Sequence, residues 1–216
     1  MVRVKICGLR SVEDLAAARG ADAVGVIVAT PASRRNLPLE AARRFLASVP
    51  PGVLRVAVTT CTSGEELRRI VAALAPDVLQ VHRELPAAGW EELREEVPGP
   101  ALWGLLGVGE AAGDALARAE GLRRAPLDGV VLDTIRGGRA GGTGIPHDWQ
   151  LSRRLRGLLR PLSVILAGGI TPENAPWAIR TVDPDWIDVS SGVEEGGRKS
   201  QRKVAKLLSV VKDAAK

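Results

Sequence analysis

Short apolar runs alternate along the chain with longer stretches in which apolar residues recur every three or four positions. The short runs, such as Val164–Ala167, are continuously apolar, which is typical of parallel strands covered on both faces. The longer stretches place residues such as Leu67, Ile70 and Leu74 on one helical face. The pattern therefore predicts strands and amphipathic helices in regular alternation.

Eight strand–helix units fit into the 216 residues, which predicts one domain over residues 1–216 with the architecture of a single (β/α)8 TIM barrel. A doubly wound open sheet is the alternative. The predicted strands are Val2–Cys7, Ala23–Val28, Leu54–Thr59, Val78–His82, Ala101–Leu106, Gly129–Asp133, Ser163–Ala167 and Trp186–Ser190. The predicted helices are Val12–Ala18, Leu39–Leu46, Glu65–Leu74, Trp90–Glu96, Gly109–Ala119, Asp148–Leu159, Pro172–Arg180 and Ser200–Ala214.

Composition is ordinary for a soluble globular protein, with 45% hydrophobic and 25% charged residues. No apolar run reaches the roughly 18 residues of a membrane span, and the chain opens on a strand instead of a signal peptide. Cys7 and Cys61 are too few for a disulfide framework. These features predict a cytoplasmic protein without a membrane partner.

The net charge of +5 comes from 30 Lys and Arg against 25 Asp and Glu. The basic residues are spread along the chain, and one Phe with no Tyr offers little for base stacking. This distribution argues against nucleic-acid binding. A positive field that attracts a small anionic substrate is one interpretation, and a general preference for Arg is the other.

Two residues at predicted strand ends are candidates for acid–base chemistry. Cys7 ends strand one beside Gly8, and Asp133 ends strand six. The C-terminal strand ends of a barrel meet at one mouth, where catalysis takes place, so a thiolate and a carboxylic acid there could act as base and acid. A small buried residue and a turn residue are the alternative interpretations.

Small-residue loops after strands seven and eight predict a phosphate site. Gly168 and Gly169 follow the seventh strand, and Ser191 and Gly192 follow the eighth. Exposed backbone N–H groups in these loops bind phosphate in many barrels. In the Gly-rich stretch Gly137–Gly144, Gly142 and Gly144 are candidates for further donors.

Other polar residues near the predicted mouth are candidates for substrate contact. Arg34 or Arg35, beyond strand two, could hold a carboxylate through two hydrogen bonds. Gln80 and His82 end strand four and are candidate ligand contacts. His147 is interpreted as a loop residue before the Asp148 helix cap. The two histidines and Cys7 lack the spacing of a metal site, so no metal is predicted.

Taken in order, several motifs resemble those of the phosphoribosylanthranilate isomerases of tryptophan biosynthesis, and the resemblance spans nearly the whole chain. The motifs are Lys5-Ile6-Cys7-Gly8, Ala21-Asp22-Ala23-Val24-Gly25, Leu132-Asp133, Gly141-Gly142-Thr143-Gly144 with Asp148-Trp149, Ala167-Gly168-Gly169 with Pro172-Glu173-Asn174, and Asp188-Val189-Ser190-Ser191-Gly192-Val193-Glu194.

The resemblance implies a (β/α)8 barrel without cofactor or metal, acting on a small anionic phosphosugar as a monomer or homodimer. The implied reaction is the Amadori rearrangement of N-(5-phospho-β-D-ribosyl)anthranilate to 1-(2-carboxyphenylamino)-1-deoxy-D-ribulose 5-phosphate. By resemblance Asp133 is the general acid, Cys7 the general base and Arg35 the ligand of the substrate carboxylate. A thiolate base needs a lowered pKa, for which Lys5 and Arg35 are candidates, and the acid needs a raised one.

The chain departs from the family pattern at several positions. The path from strand two to the arginine is one residue longer, so Arg34 is the alternative carboxylate ligand. Arg83 follows His82 where the family has Gly and an acidic residue, and Ser200 follows Lys199 where an Asp is usual. Two alternatives therefore stand beside the isomerase: a related phosphosugar isomerase or epimerase, and a non-catalytic phosphosugar-binding barrel.

Overall fold

The structure is a computed structural model, and it describes residues 1–109, 112–136, 139–140 and 146–214. Within these residues eight strands form the main sheet. They are β1 (Arg3–Cys7), β2 (Ala23–Ile27), β3 (Leu54–Thr59), β4 (Val78–Val81), β5 (Ala101–Val108), β6 (Gly129–Arg136), β7 (Ser163–Leu166) and β8 (Trp186–Val189).

Each strand is followed by a helix. The helices are α1 (Val12–Ala17), α2 (Leu39–Ala47), α3 (Gly64–Leu74), α4 (Ala87–Glu96), α5 (Ala112–Leu122), α6 (Trp149–Leu158), α7 (Ala175–Val182) and α8 (Gln201–Ala214). None of these helices combines the length and the apolar character that crossing a membrane would require.

The strands close into a barrel. Neighbouring strands pair in parallel in the order β5-β4-β3-β2-β1-β8-β7-β6, and β5 pairs in turn with β6. The predicted (β/α)8 barrel is confirmed, and the open doubly wound sheet is wrong because β5 and β6 share a ladder from Trp103–Gly129 to Val108–Thr134. All C-terminal strand ends therefore lie at one mouth.

Two apolar layers flank the strands. The outer layer packs strand residues such as Ile6 and Leu106 against the helices, whose buried faces carry residues such as Leu67 and Leu155. The inner layer fills the barrel and includes two tryptophans, Trp103 and Trp186. The centroids of their rings lie 5.5 Å apart. Continuous apolar strands are thus explained by burial on both faces.

Four aspartates at the base of the barrel repeat one set of contacts. Each lies directly before an even-numbered strand, its carboxylate accepts from a backbone N–H of the preceding odd strand at 2.7–2.8 Å, and its own N–H and C=O bond to the odd strands on either side. The barrel base is therefore tied together every second strand. The four residues are Asp22, Asp77, Asp128 and Asp185.

The predicted elements agree with the observed ones within about three residues, and the largest differences surround β6. This strand continues beyond Asp133 to Arg136 and forms a short hairpin with Arg139–Ala140. Asp133 consequently lies inside a strand and not at its end, because the hairpin extends the β6 backbone above the barrel mouth. Helix α5 begins three residues later than predicted, at Ala112.

Candidate active site

Cys7 faces into the upper part of the barrel from the end of β1. Its side chain is buried among inner-layer residues. One pleat below it on the same strand is Lys5, whose Nζ donates to Asp188 Oδ2 at 2.7 Å and to Gln80 Oε1 at 2.8 Å. The alternation of a strand places both side chains on the barrel interior. A charge is therefore buried directly beneath the thiol.

Burial decides the ionisation of the thiol in the ligand-free protein. Desolvation raises the pKa of Cys7 above its ordinary value, and the Asp188 carboxylate acts in the same direction. The cations Lys5 and Lys199 lower the pKa but do not outweigh burial. Lys5 thus acts in the direction expected from the sequence, while the net shift is opposite to the one that a base requires.

Lys5 keeps its own proton. Burial by itself lowers the pKa of the ammonium, but attraction to Asp188 and to Cys7 more than compensates, so the pKa is raised. Two charged groups in a barrel interior are stable only when paired and hydrogen-bonded. The Lys5–Asp188 pair meets that condition, with side-chain exposures of 0% and 8%.

Asp133 lies at the same mouth on β6. Its Oδ1 accepts from the N–H of Thr134 at 2.7 Å, and its Oδ2 lies 3.3 Å from His82 Nε2. Gly168 approaches closely, because a Cβ built there would lie 2.8 Å from Asp133 Oδ1. The carboxyl group is therefore held on two sides, and the Asp133 side chain is 8% exposed.

The two candidate arginines differ in placement. Arg34 is largely exposed, whereas Arg35 is 12% exposed and its stem crosses Gly8, next to Cys7. Arg35 donates from Nε and Nη2 to the two carboxylate oxygens of Glu194 at 2.7 and 2.9 Å. These two bonds use the Nε–Nη2 edge of the Arg35 guanidinium. Nη1 of Arg35 has no partner among the described residues.

Glu194 forms ion pairs with three cationic side chains at the mouth. Besides both arginines it accepts from Lys199 Nζ at 2.9 Å. Burial opposes its ionisation, but the hydrogen bonds from Arg35 and Lys199 prevail and lower the pKa of Glu194 to about 2. Lys199 also donates to the carbonyl of Ser190 at 3.0 Å. Glu194 and Lys199 therefore join the end of β8, at Ser190, to Arg35 beyond β2.

The predicted phosphate loops have the expected backbone form. Gly168 and Gly169 have φ values of +78° and +67°, in the left-handed region that favours glycine. Neither N–H is seen donating to another residue within the described ranges. Ser191 and Gly192 begin a 3₁₀ turn, Ser191–Val193, that packs on Ile170 of the other loop. Gly142 and Gly144 lie outside the described residues.

Comparison with known proteins agrees with this geometry. The family model of N-(5'phosphoribosyl)anthranilate (PRA) isomerase matches residues 4–210. The N-(5'-phosphoribosyl)anthranilate isomerase of Haloferax volcanii is 41% identical, with 99% of this chain and 95% of the relative covered. That of Rubrobacter xylanophilus is 40% identical, with 98% and 100% covered.

This chain belongs to the phosphoribosylanthranilate isomerase family. Among solved structures of the family, that of Thermotoga maritima superposes with a TM-score of 0.84 at 33% identity, covering 99% of this chain and all of that one. A complex of a phosphoribosyl anthranilate isomerase with reduced 1-(o-carboxyphenylamino)-1-deoxyribulose 5-phosphate has a TM-score of 0.81 at 32% identity, with 99% and 100% covered. A further Thermotoga maritima structure is of monomers generated from a dimeric isomerase.

Two of the departures from the family pattern, Arg83 and Ser200, form no hydrogen bond or ion pair with Cys7 or Asp133 among the described residues. Arg83 is exposed. Ser200 precedes α8, where its Oγ accepts from the N–H of Lys203 at 3.4 Å and donates to Glu195 at 3.0 Å. Ser200 therefore caps a helix, a role that Ser shares with Asp.

Several polar residues near the site were missed or interpreted differently from sequence. Gln80 and His82 stay predicted substrate contacts, and the structure adds that the Gln80 amide bonds to Lys5 and, at 3.2 Å, to His82 Nδ1. His147 reaches Thr134 Oγ1 at 3.1 Å and Ser152 Oγ at 2.6 Å, and burial lowers its pKa to about 4. Apart from its place in a family motif, nothing in the sequence indicated that Glu194 would pair with Arg35.

No three His, Cys, Asp or Glu side chains of the described ranges come together in the way that would hold a metal ion. The charged groups that the barrel brings to its mouth are instead the pairs built on Lys5, Lys199 and Arg35. The arrangement offers a carboxyl group, a thiol and several cations, which suits proton transfer on an anionic substrate.

Proposed function

We propose that this chain catalyses the Amadori rearrangement of N-(5-phospho-β-D-ribosyl)anthranilate to 1-(2-carboxyphenylamino)-1-deoxy-D-ribulose 5-phosphate. The observation that carries the proposal is the family match over residues 4–210 on a barrel whose mouth holds Cys7 and Asp133. A thiol and a carboxyl group at one mouth provide the two proton-transfer groups that the rearrangement needs.

Asp133 is the proposed general acid. It gives its proton to the furanose ring oxygen, the C1′–O bond breaks and the ring opens to a protonated Schiff base. The carboxylate that remains accepts from the Thr134 N–H and faces His82. Donors already aimed at this carboxylate favour proton release during the step.

Cys7 is the proposed general base. It removes the C2′ proton of the Schiff base to give an enolamine, which tautomerises to the ketone. Because burial raises the pKa of the free thiol, the thiolate forms only in part at neutral pH. We therefore expect kcat/KM to rise with pH through the raised pKa of Cys7, since that profile reports the free enzyme.

The substrate's two anionic ends have separate proposed ligands. Arg35 binds the anthranilate carboxylate through Nη1, which has no partner among the described residues, and its low exposure beside Cys7 supports it over Arg34. The N–H groups of Gly168 and Gly169 bind the phosphate with the Ser191–Gly192 turn, an arrangement that needs no lysine. Gly142 and Gly144 remain predicted contributors to that grip.

The remaining proposals concern the cellular location and the assembly of the protein. Free Cys7 and Cys61 suit a reducing cytoplasm, and we propose that location. Monomer and homodimer both remain compatible with the proposal, and no partner beyond the small substrate is required.

Turnover of phosphoribosylanthranilate generated in situ tests the proposal, with Cys7→Ala and Asp133→Asn beside the wild type. Each substitution removes one proton-transfer group, so we expect kcat to fall by roughly 10²–10⁴-fold with circular dichroism unchanged. Cys61→Ser is the matched control, because it removes the other free thiol, and its kcat should stay within about twofold.

Near-normal turnover in either active-site variant would refute that residue's role. A folded wild type without turnover would favour the non-catalytic phosphosugar-binding barrel. Loss of activity on metal chelation would instead favour a related epimerase.

A further inference from the structure

A row of polar side chains crosses the barrel interior from β1 to β6. Lys5 Nζ lies 2.8 Å from Gln80 Oε1, Gln80 Nε2 lies 3.2 Å from His82 Nδ1, and His82 Nε2 lies 3.3 Å from Asp133 Oδ2. Lys5 and Gln80 are almost completely buried, with exposures of 0% and 1%. The row therefore links the groups beneath Cys7 to the proposed general acid.

The chemistry of the first member fixes the direction of every hydrogen bond in the row. A lysine ammonium has three donors and no acceptor, so Gln80 must present its oxygen to Lys5. Its NH₂ group then faces His82 and donates to Nδ1. A histidine that accepts at Nδ1 carries its proton on Nε2 when neutral, so His82 donates toward Asp133.

The alternative protonation of His82 conflicts with the same contacts. An imidazolium has donors on both nitrogens, and its Nδ1–H would face the NH₂ of Gln80. Turning the Gln80 amide over would relieve that conflict but would point the NH₂ group at the Lys5 ammonium. Lys5 cannot move aside freely, because Asp188 holds it at 2.7 Å.

We propose that Lys5 and Gln80 are positioning residues that keep His82 a neutral Nε2–H donor, so that it cannot take the proton of Asp133. This inference rests on the proposed function, in which Asp133 must arrive protonated. A histidine beside an aspartate commonly forms an ion pair, and an acid in that state has no proton left to give.

The fixed tautomer also directs the proton that Asp133 carries. The Nε2–H of His82 occupies one side of Oδ2, and the Thr134 N–H occupies Oδ1. The carboxylic proton is therefore restricted to the positions on Asp133 that these two donors leave open, and we infer that one of them is directed at the substrate. When the O–H bond breaks, the proton passes to the ring oxygen and its electron pair stays on a carboxylate that already has two donors.

The tautomer can be read directly by two-bond ¹H–¹⁵N NMR of the imidazole rings in the ligand-free wild type at pH 7. The chain has two histidines, and His147→Gln assigns the second ring. We expect His82 to show one protonated nitrogen, Nε2. An imidazolium or an Nδ1–H ring for His82 would overturn the proposal, and this result does not depend on turnover.

Gln80→Glu tests the consequence for catalysis. A carboxylate at this position accepts from Lys5 with one oxygen and from an Nδ1–H with the other, so His82 becomes an imidazolium paired with Asp133. We expect a doubly protonated His82 ring in the NMR spectrum and a kcat lower by roughly 10–100-fold, with KM changed by less than about threefold.

Gln80→Met is the matched control, because it removes the amide without introducing a charge. Without the amide, Nδ1 of His82 loses the donor that fixes its tautomer, so we expect the NMR spectrum no longer to show Nε2–H alone. No carboxylate stabilises the imidazolium in this variant, so kcat should fall less than in Gln80→Glu. Equal losses in the two variants, or a wild-type kcat in Gln80→Glu, would overturn the positioning role. A wild type without isomerase turnover would instead refute the proposed function, while the NMR spectrum would still decide the tautomer.

Discussion

Gly8 shows how one residue without a side chain shapes the site. Its φ is +74°, and a Cβ built there would lie 2.5 Å from Cδ of Arg35. The glycine thus serves both a left-handed turn after β1 and the path of the arginine stem across it. Gly52 has a similar φ of +85°, but among the described residues no atom beyond its two chain neighbours lies within 4 Å of its Cβ position.

Gly8→Ala should displace Arg35 and weaken substrate binding. We expect the KM for phosphoribosylanthranilate to rise by about tenfold or more, the loss of a contact to a charged group, with a smaller change in kcat. Gly52→Ala carries the same backbone cost of about 1–2 kcal/mol and should leave KM unchanged. Steady-state kinetics of both variants would contradict this account if their KM values moved together.

Lys5 shows that a residue's role can depend on groups far away in the chain. The sequence shows a lysine inside an apolar strand, and only the barrel places it against Asp188 and Gln80, 183 and 75 residues away. The same applies to Glu194, which reaches Arg35 from 159 residues away. No local pattern predicts such pairs.

Among the elements, α6 depends on a cap formed by Asp148. Its Oδ1 accepts from the N–H groups of Gln150 and Leu151 at 2.8 and 3.4 Å. The sequence predicted this cap, since Asp before an amphipathic stretch is a typical helix start. The apolar face of α6, with Leu151 and Leu155, is buried against the barrel.

Asp148→Ala should lower the free energy of unfolding by about 1 kcal/mol, because two helix N–H groups lose their acceptor. Asp148→Asn keeps an acceptor oxygen and should cost only a few tenths of that. Urea denaturation of the two variants measures the difference. Equal losses would show that the carboxylate charge, and not the cap geometry, stabilises α6.

At the scale of the whole molecule, stability and chemistry occupy opposite ends of the barrel. The four basal aspartates close the N-terminal ends of the strands, whereas Cys7 and Asp133 lie at the mouth. Three of the four aspartates also bind an arginine, in the pairs Arg55–Asp77, Arg94–Asp128 and Arg156–Asp185. The carboxylate of Asp22 bonds to a backbone N–H, that of Val4, at 2.7 Å.

Asp22→Ala therefore isolates the backbone tie at the barrel base. Removing a charged acceptor from a backbone donor should cost about 1.5–3 kcal/mol, which corresponds to a drop in Tm of about 3–12 °C at this size. Thermal unfolding measures the loss, and kcat/KM should change by less than about twofold. Asp22→Asn keeps the acceptor and should recover most of the stability; a tenfold loss of kcat/KM in that variant would contradict the separation.

Sequence alone was enough for the (β/α)8 class, most element bounds and the family, since these depend on local periodicity and on motifs that survive in order along the chain. It also identified Cys7 and Asp133 as candidates. Closure of the barrel, the raised pKa of Cys7, the Glu194 grip on Arg35 and the bonded row from Lys5 to Asp133 were decided by tertiary structure. Each depends on burial and on distances between residues remote in sequence, which no local pattern contains.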